Sequence, residues 1–269
     1  MRLATRIAAA SGRPDGGSRC LCRDYASGVD SLLDRLTAVR PQLADVLSRP
    51  HAEEALLADV IAALEGTPDG LSLLAHALGV GRAVERVTMW GVDVATGAAD
   101  PLLAAAVASV HPGAGAAVLH EAKPDLLIVT ADAVASISVA VDRPGHAAAR
   151  ALRGEPVPSA RLADLSEALG GVLDPADIGA VYPAARCVAV GLAVADGRPL
   201  DVIALAAGGG LMGGADRVGA WLSMAERVEE ALGAVDIHSR VLRWRELAAA
   251  LGEDSPAYDV ITAHPTAGR

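Results

Sequence analysis

Apolar residues recur at spacings of three and four from Val29 to Leu47 and again from Ala52 to Leu64, with Pro50 between the runs. That spacing lines one face of a helix, so each run predicts one helix. Gly70 to Leu78 is apolar on most faces and ends at Gly79 and Gly81, the pattern of a buried helix stopped by glycine. Val84 to Val94 predicts a strand and Leu102 to Val110 a short helix. Gly115 to His120 and Leu126 to Thr130 predict two successive strands rich in β-branched residues.

Further along, Arg161 to Leu169 predicts an amphipathic helix, and Asp174-Pro175-Ala176-Asp177 a capped turn or short helix start. Ile178 to Tyr182 and Leu200 to Ala206 predict strands. A glycine loop, Gly208 to Gly214, leads into a long helix from about Asp216 to Leu232. Helix and strand alternate, which predicts a single α/β domain over residues 25–269. Residues 1–24, rich in Arg, Gly and Ser, read as a flexible leader, with Gly12 to Gly17 as a loop signal.

Composition changes the picture of the core. Hydrophobic residues make up 52% of the 269, yet there is no Phe, and only Tyr25, Tyr182, Tyr258, Trp90, Trp221 and Trp244 are aromatic. Small aliphatic side chains each bury little area at about 25 cal/mol per Å², so stability must come from many contacts, and pairing with another subunit would add to them.

A net charge of −10 disfavours phosphate backbones, so no nucleic acid is expected as a partner. Lys123 is the only lysine among the cationic residues and is read as compositional bias. No apolar run reaches the roughly 18 residues of a membrane span, and Met1 to Ala10 lacks the apolar stretch of a secretory signal. A cytoplasmic protein without a membrane partner is expected. Cys20, Cys22 and Cys187 are too few, and odd in number, for a disulfide framework. Cys20-x-Cys22 lacks the other ligands of a zinc site, so no metal and no cofactor is expected.

Several words follow one another in a set order. Gly70-Leu71, with Ala75 and Leu78, precedes Gly81-Arg82-Ala83, then Gly91-Val92-Asp93 and Asp100-Pro101-Leu102-Leu103. Pro112 to Leu119 with Glu121, Ala133 to Ser136 and Ala149 to Leu152 come next. Leu173 to Val181, Gly209 to Ala215 with Val218, and Asp259 to Thr262 complete the series. In this order they resemble ketosynthases and their chain-length-factor partners over Gly66 to Arg269, about three quarters of the chain.

The resemblance implies a thiolase-like (ketosynthase-like) layered α/β/α fold with a helical N-terminal region. The fold would be incomplete, because most of the family's first half is missing and its last strand would fall beyond Arg269. It also places Thr67 at the nucleophilic cysteine, Ala184 at the first histidine, Leu205 at the lysine, Gly210 at the second histidine and Ala114 at a family glutamate. Alanine, leucine and glycine supply no side-chain donor, and condensation needs a thiolate and an oxyanion site.

The resemblance therefore implies a non-condensing, chain-length-factor-like partner subunit without intrinsic ketosynthase activity. Such a subunit would help to form an acyl-binding pocket in polyketide or fatty-acid biosynthesis. Its partners would be a ketosynthase-like subunit or a second copy as a dimer, and an acyl carrier protein.

The rival is an independent α/β enzyme acting on a small anionic or acyl substrate through the glycine loop, with Asp93, Asp132 or His76 for acid–base work. The loop, however, matches neither a P-loop nor a dinucleotide fingerprint, and close backbone packing is its plainer use. Cys187 reads as inert core and His76 as a satisfied core or interface histidine. His111 and His120 read as surface groups flanking a strand, within reach of Glu121 or Asp132. Glu226, Arg227, Glu229 and Glu230 read as a solvated helix face.

Overall fold

The computed structural model of the chain describes residues 31–41, 43–48, 52–81, 83–113, 123–139, 159–180, 182–206, 214–233, 236–265 and 267. The expected leader, Cys20, Cys22, the expected strand Gly115 to His120 and residues 208–213 of the expected glycine loop lie outside the described residues.

The first helical run is two helices, α1 (Leu32–Val39) and α2 (Leu43–Leu47), not the single helix its periodicity predicts. Pro41 is the cause. A residue before proline is pushed out of the helical region, and Arg40 sits at φ −135°, ψ 78°. Ser31 caps α1, its hydroxyl accepting from the Asp34 N–H while the Asp34 carboxylate accepts from the Ser31 N–H. α3 (Glu53–Glu65) and α4 (Gly70–Ala77) follow as expected.

Val84 to Val94 is a hairpin and not one strand: β1 (Val84–Met89) turns into β2 (Val92–Asp93). Met89 faces Val92, so the turn is Trp90-Gly91, with φ of +48° and +84°. Two residues at positive φ are what a tight hairpin of this hand requires. After α5 (Pro101–Val110) come β3 (Leu126–Thr130), β4 (Val134–Val139) and α6 (Ser159–Ala168).

The strand expected at Ile178 to Tyr182 is helical. α7 (Pro175–Ala180) starts at Asp174-Pro175, and the Ile178 N–H donates to the Asp174 carbonyl, a helical spacing. α8 (Tyr182–Ala195) follows. Proline in a first turn costs no helical hydrogen bond, so Pro175 and Pro183 permit what their apolar neighbours had suggested as strand. The chain ends with β5 (Leu200–Ala206), α9 (Gly214–Leu232), β6 (Ile237–Arg243), α10 (Trp244–Leu251) and α11 (Pro256–Ala263). Asp259 to Thr262, expected as the segment before a last strand, is part of α11.

The strands form one six-stranded mixed sheet in the order β2-β1-β3-β4-β5-β6. Pairing is antiparallel from β2 to β4 and parallel from β4 to β6. Alternate strand residues face opposite ways. Leu126, Ile128, Ile203 and Leu205 join the core under α1, α3, α4, α10 and α11. Leu127, Val129, Val202 and Ala204 join the core under α5, α6, α8 and α9. Helices thus cover both faces, and aliphatic residues make up most of each core.

Candidate functional site

Of the residues that the resemblance matches to ketosynthase catalytic positions, the described ones do not all come together: Ala184 lies across the sheet from Thr67 and Leu205. Thr67 lies at the corner between α3 and α4, where its hydroxyl donates to the Leu64 carbonyl at 2.9 Å. Leu205 points into the core on that same face of the sheet, whereas Ala184 is buried on α8, across the sheet. Gly210 and Ala114 lie outside the described residues. Cys187, also on α8, is fully buried, and burial pushes its thiol above the ordinary value although Arg186 opposes the shift. A thiolate there is disfavoured.

The acid–base groups of the rival reading are scattered. Asp93 accepts from the Thr96 N–H at 2.8 Å and from the Thr96 hydroxyl at 2.9 Å, which makes it a turn former. Asp132 is exposed between β3 and β4. His76 is exposed too, which removes the core half of its core-or-interface reading, because Leu74, Ala75 and Leu78 form the buried stripe of that helix. The charges at Glu226, Arg227, Glu229 and Glu230 are exposed, as expected of a solvated face.

His111 is the opposite correction. It is buried at the end of α5, with Nδ1 3.3 Å from Asp164 Oδ2 on α6. Sequence spacing offers only neighbours such as Glu121 and Asp132, whereas α6 supplies a carboxylate from 53 residues away. Burial lowers the pKa of His111 from 6.5, against the pull of Asp164, and Arg161 adds to the lowering.

Two polar clusters gather where β1, β2 and β3 meet, and neither was singled out in the sequence. In the first, Asp125 accepts from Trp90 Nε1 at 3.1 Å, Ser138 Oγ at 3.1 Å and the Val139 N–H at 2.9 Å. Arg186 lies 4.0 Å from the same carboxylate, and that charge keeps the guanidinium pKa high against the cost of burial. In the second, Asp100 caps α5 by accepting from the Leu102 and Leu103 N–H groups. It also accepts from the Thr88 hydroxyl at 2.6 Å and from Arg86 at 3.2 Å.

Beside the second cluster lie Arg40 and Lys123, each 8% exposed. Arg40 donates to the Trp90 carbonyl at 2.8 Å. Burial lowers the Lys123 pKa from 10.5, and the positive charge of Arg40 lowers it further, while Asp100 acts in the opposite sense. The signal that could have found this group is its uniqueness, since it is the one lysine in a chain whose other basic side chains are arginine and histidine.

Among the described residues, no group of three His, Cys, Asp or Glu side chains is placed to hold a metal ion. No helix among them is long and apolar enough to cross a membrane. No protein-family model, curated protein or solved structure matches this chain. The fold defines the class: a mixed α/β protein with helices on both faces of a six-stranded sheet.

Proposed function

We propose that the protein is a non-condensing subunit of the ketosynthase kind, built on an incomplete thiolase-like fold, which pairs with a related subunit or a second copy to shape an acyl-binding pocket. Its partner in delivering the acyl thioester would be an acyl carrier protein. The likeness itself rests on the ordered sequence words from Gly66 to Arg269. The non-condensing part of the reading is supported by the separation of Thr67 and Leu205 from Ala184 across the sheet, together with the buried, proton-retaining thiol of Cys187. No nucleophile and base stand in reach of one another at these positions, so a contribution through binding fits better than one through chemistry.

Pairing is supported by the sheet itself. β6 is seven residues long and stands at the margin of the sheet, bonded to β5 as its only partner among the described strands. A free strand edge presents unpaired N–H and C=O groups, and association across it satisfies them. The test has two arms on the full-length protein. Incubation with malonyl carrier protein and a primer gives no condensation product, and light scattering gives a dimer or, after mixing, a complex with a ketosynthase subunit. Product formation, or a strictly monomeric species that ignores such a subunit, would overturn the reading.

A further inference from the structure

The pairing of β6 with β5 fixes which of its backbone groups face out from the sheet. The Leu200 N–H donates to the Asp236 carbonyl at 2.8 Å, and Leu200 lies beside Ile237. A strand turns the N–H and C=O of successive residues to opposite sides, so Asp236, His238, Arg240 and Leu242 bond β5. Ile237, Ser239, Val241 and Arg243 therefore point outward at the sheet margin, where no described strand lies. Arg243 is already engaged, its N–H donating to Glu246 Oε2 at 2.8 Å. Ile237, Ser239 and Val241 have no outward hydrogen bond among the described residues. The Ser239 hydroxyl shares the sheet face of Val202 and Ile237, where it is buried and has no hydrogen-bond partner among them either.

We propose that this margin binds a second copy of the chain, β6 antiparallel to β6, with Ser239 facing Ser239 across a two-fold axis. Register decides the choice of residue. A two-fold axis perpendicular to a sheet sets one residue opposite its own copy, and that residue fixes every other pair. With Ser239 on the axis, Ile237 faces Val241 on both sides, and the outward N–H and C=O groups of all three residues are bonded. Each Ser239 hydroxyl also gains the other as its partner. With Arg240 on the axis, two guanidinium groups stand directly opposite each other, which is destabilising. With Val241 on the axis, Ser239 needs the Arg243 N–H, which Glu246 holds. An axis nearer Ile237 leaves Val241 opposite residues that precede β6. On the other face of the strand Arg240 meets His238 of the second copy. Arg240 is drawn inward there, donating to the Leu78 carbonyl and standing 3.3 Å from Asp201. This inference rests on the pairing part of the function proposed above, and not on the acyl pocket.

The test uses the full-length protein over a range of concentrations, with light scattering for mass and hydrogen exchange read by peptide mass. Association of the wild type should slow exchange in the peptide that spans β6, a readout that needs no variant to fold. Val241→Pro removes an outward N–H that β5 does not use, and proline is tolerated at such an edge position, so it should give a folded monomer. Under mild oxidation Ser239→Cys should form a disulfide between the two copies, mapped by peptide mass. Arg240→Cys should not, because its two copies are offset by two residues and lie about 8 Å apart at Cα, beyond the roughly 7 Å a disulfide spans. A dimer with unchanged exchange in β6, or one linked through Arg240→Cys and not Ser239→Cys, overturns this inference and leaves the pairing reading in place. So does a complex formed solely with a ketosynthase subunit. A monomer that also ignores such a subunit overturns both.

Discussion

Asp125 and Trp90 are bonded twice: the Trp90 N–H donates to the Asp125 carbonyl at 3.1 Å, and the indole N–H donates to the Asp125 carboxylate, also at 3.1 Å. Trp90 is a bulky residue at φ +48°, a conformation that costs about 1 kcal/mol or more without support. The doubled bond holds the turn in that conformation. The same carboxylate continues to Ser138 on β4 and Arg186 on α8, so a single side chain joins the hairpin, the sheet centre and the helical layer behind it.

Replacing Asp125 with Ala should therefore be among the costliest polar substitutions in the chain. It removes three hydrogen-bond acceptances and the carboxylate facing a buried guanidinium, and the loss of one partner of a buried ion pair costs about 3 kcal/mol or more. Urea unfolding measures the loss. A change under about 1 kcal/mol would show that other groups hold the turn.

Asp100 tests the neighbouring cluster. Its carboxylate caps α5 and takes the Thr88 hydroxyl at 2.6 Å, so Asp100→Ala loses a cap, worth about 1 kcal/mol, and strands a buried hydroxyl. The sum is about 2 to 3 kcal/mol on those magnitudes. Thr88→Val removes the stranded hydroxyl, and the double variant should recover part of the loss in the same unfolding experiment.

Gly191 puts two effects in opposition. Alanine is favoured over glycine within a helix by about 1 kcal/mol. A Cβ at this point of α8 would, however, stand 2.7 Å from Leu200 Cδ1 and 3.1 Å from Ser136 Cβ. Overpacking costs about 1 to 3 kcal/mol, so Gly191→Ala should lower the melting temperature despite its better propensity. A rise would mean that α8 shifts freely away from β4 and β5.

These sites explain what the sequence did and did not reveal. Leu126 to Thr130 and Leu200 to Ala206 were legible because continuous β-branched and aliphatic runs leave few other readings. α8 was missed because Pro183 and Gly191 look like breakers, whereas proline suits a first turn and the glycine allows a close approach. β4 reads Val-Ala-Ser-Ile-Ser-Val, and its small polar residues hide a strand buried along its whole length. β6 carries His238, Ser239 and Arg240, which break the alternation, because a strand at the sheet margin is only partly covered. The clusters around Asp125 and Asp100 join residues from separate elements, so no local spacing could announce them.

Cys187 provides a direct check on the absence of a nucleophile. Its side chain is fully buried and burial holds the thiol protonated, so iodoacetamide should leave it unmodified in the native protein at neutral pH. In denaturant it should react like any free thiol. Rapid alkylation of Cys187 in the folded state, mapped by peptide mass, would return it to the list of catalytic candidates.

His111 should impose a pH dependence on stability whose sign follows from its position. The native state lowers its pKa below 6.5, chiefly through burial, so between the lowered value and 6.5 the unfolded chain binds more protons than the folded one. Stability therefore rises with pH through that window and is lost as pH falls below about 6.5, levelling only beneath the native pKa. Asp164, 3.3 Å from Nδ1, partly offsets the loss, and Asp164→Asn should steepen it by removing the charge that favours the imidazolium. His111→Gln keeps a polar side chain but cannot titrate, so its unfolding free energy should be flatter than the wild type's between pH 6.5 and the acid side of the window. Parallel slopes for wild type and His111→Gln across that range would show that His111 carries its proton equally in both states and that the buried imidazole does not drive acid sensitivity.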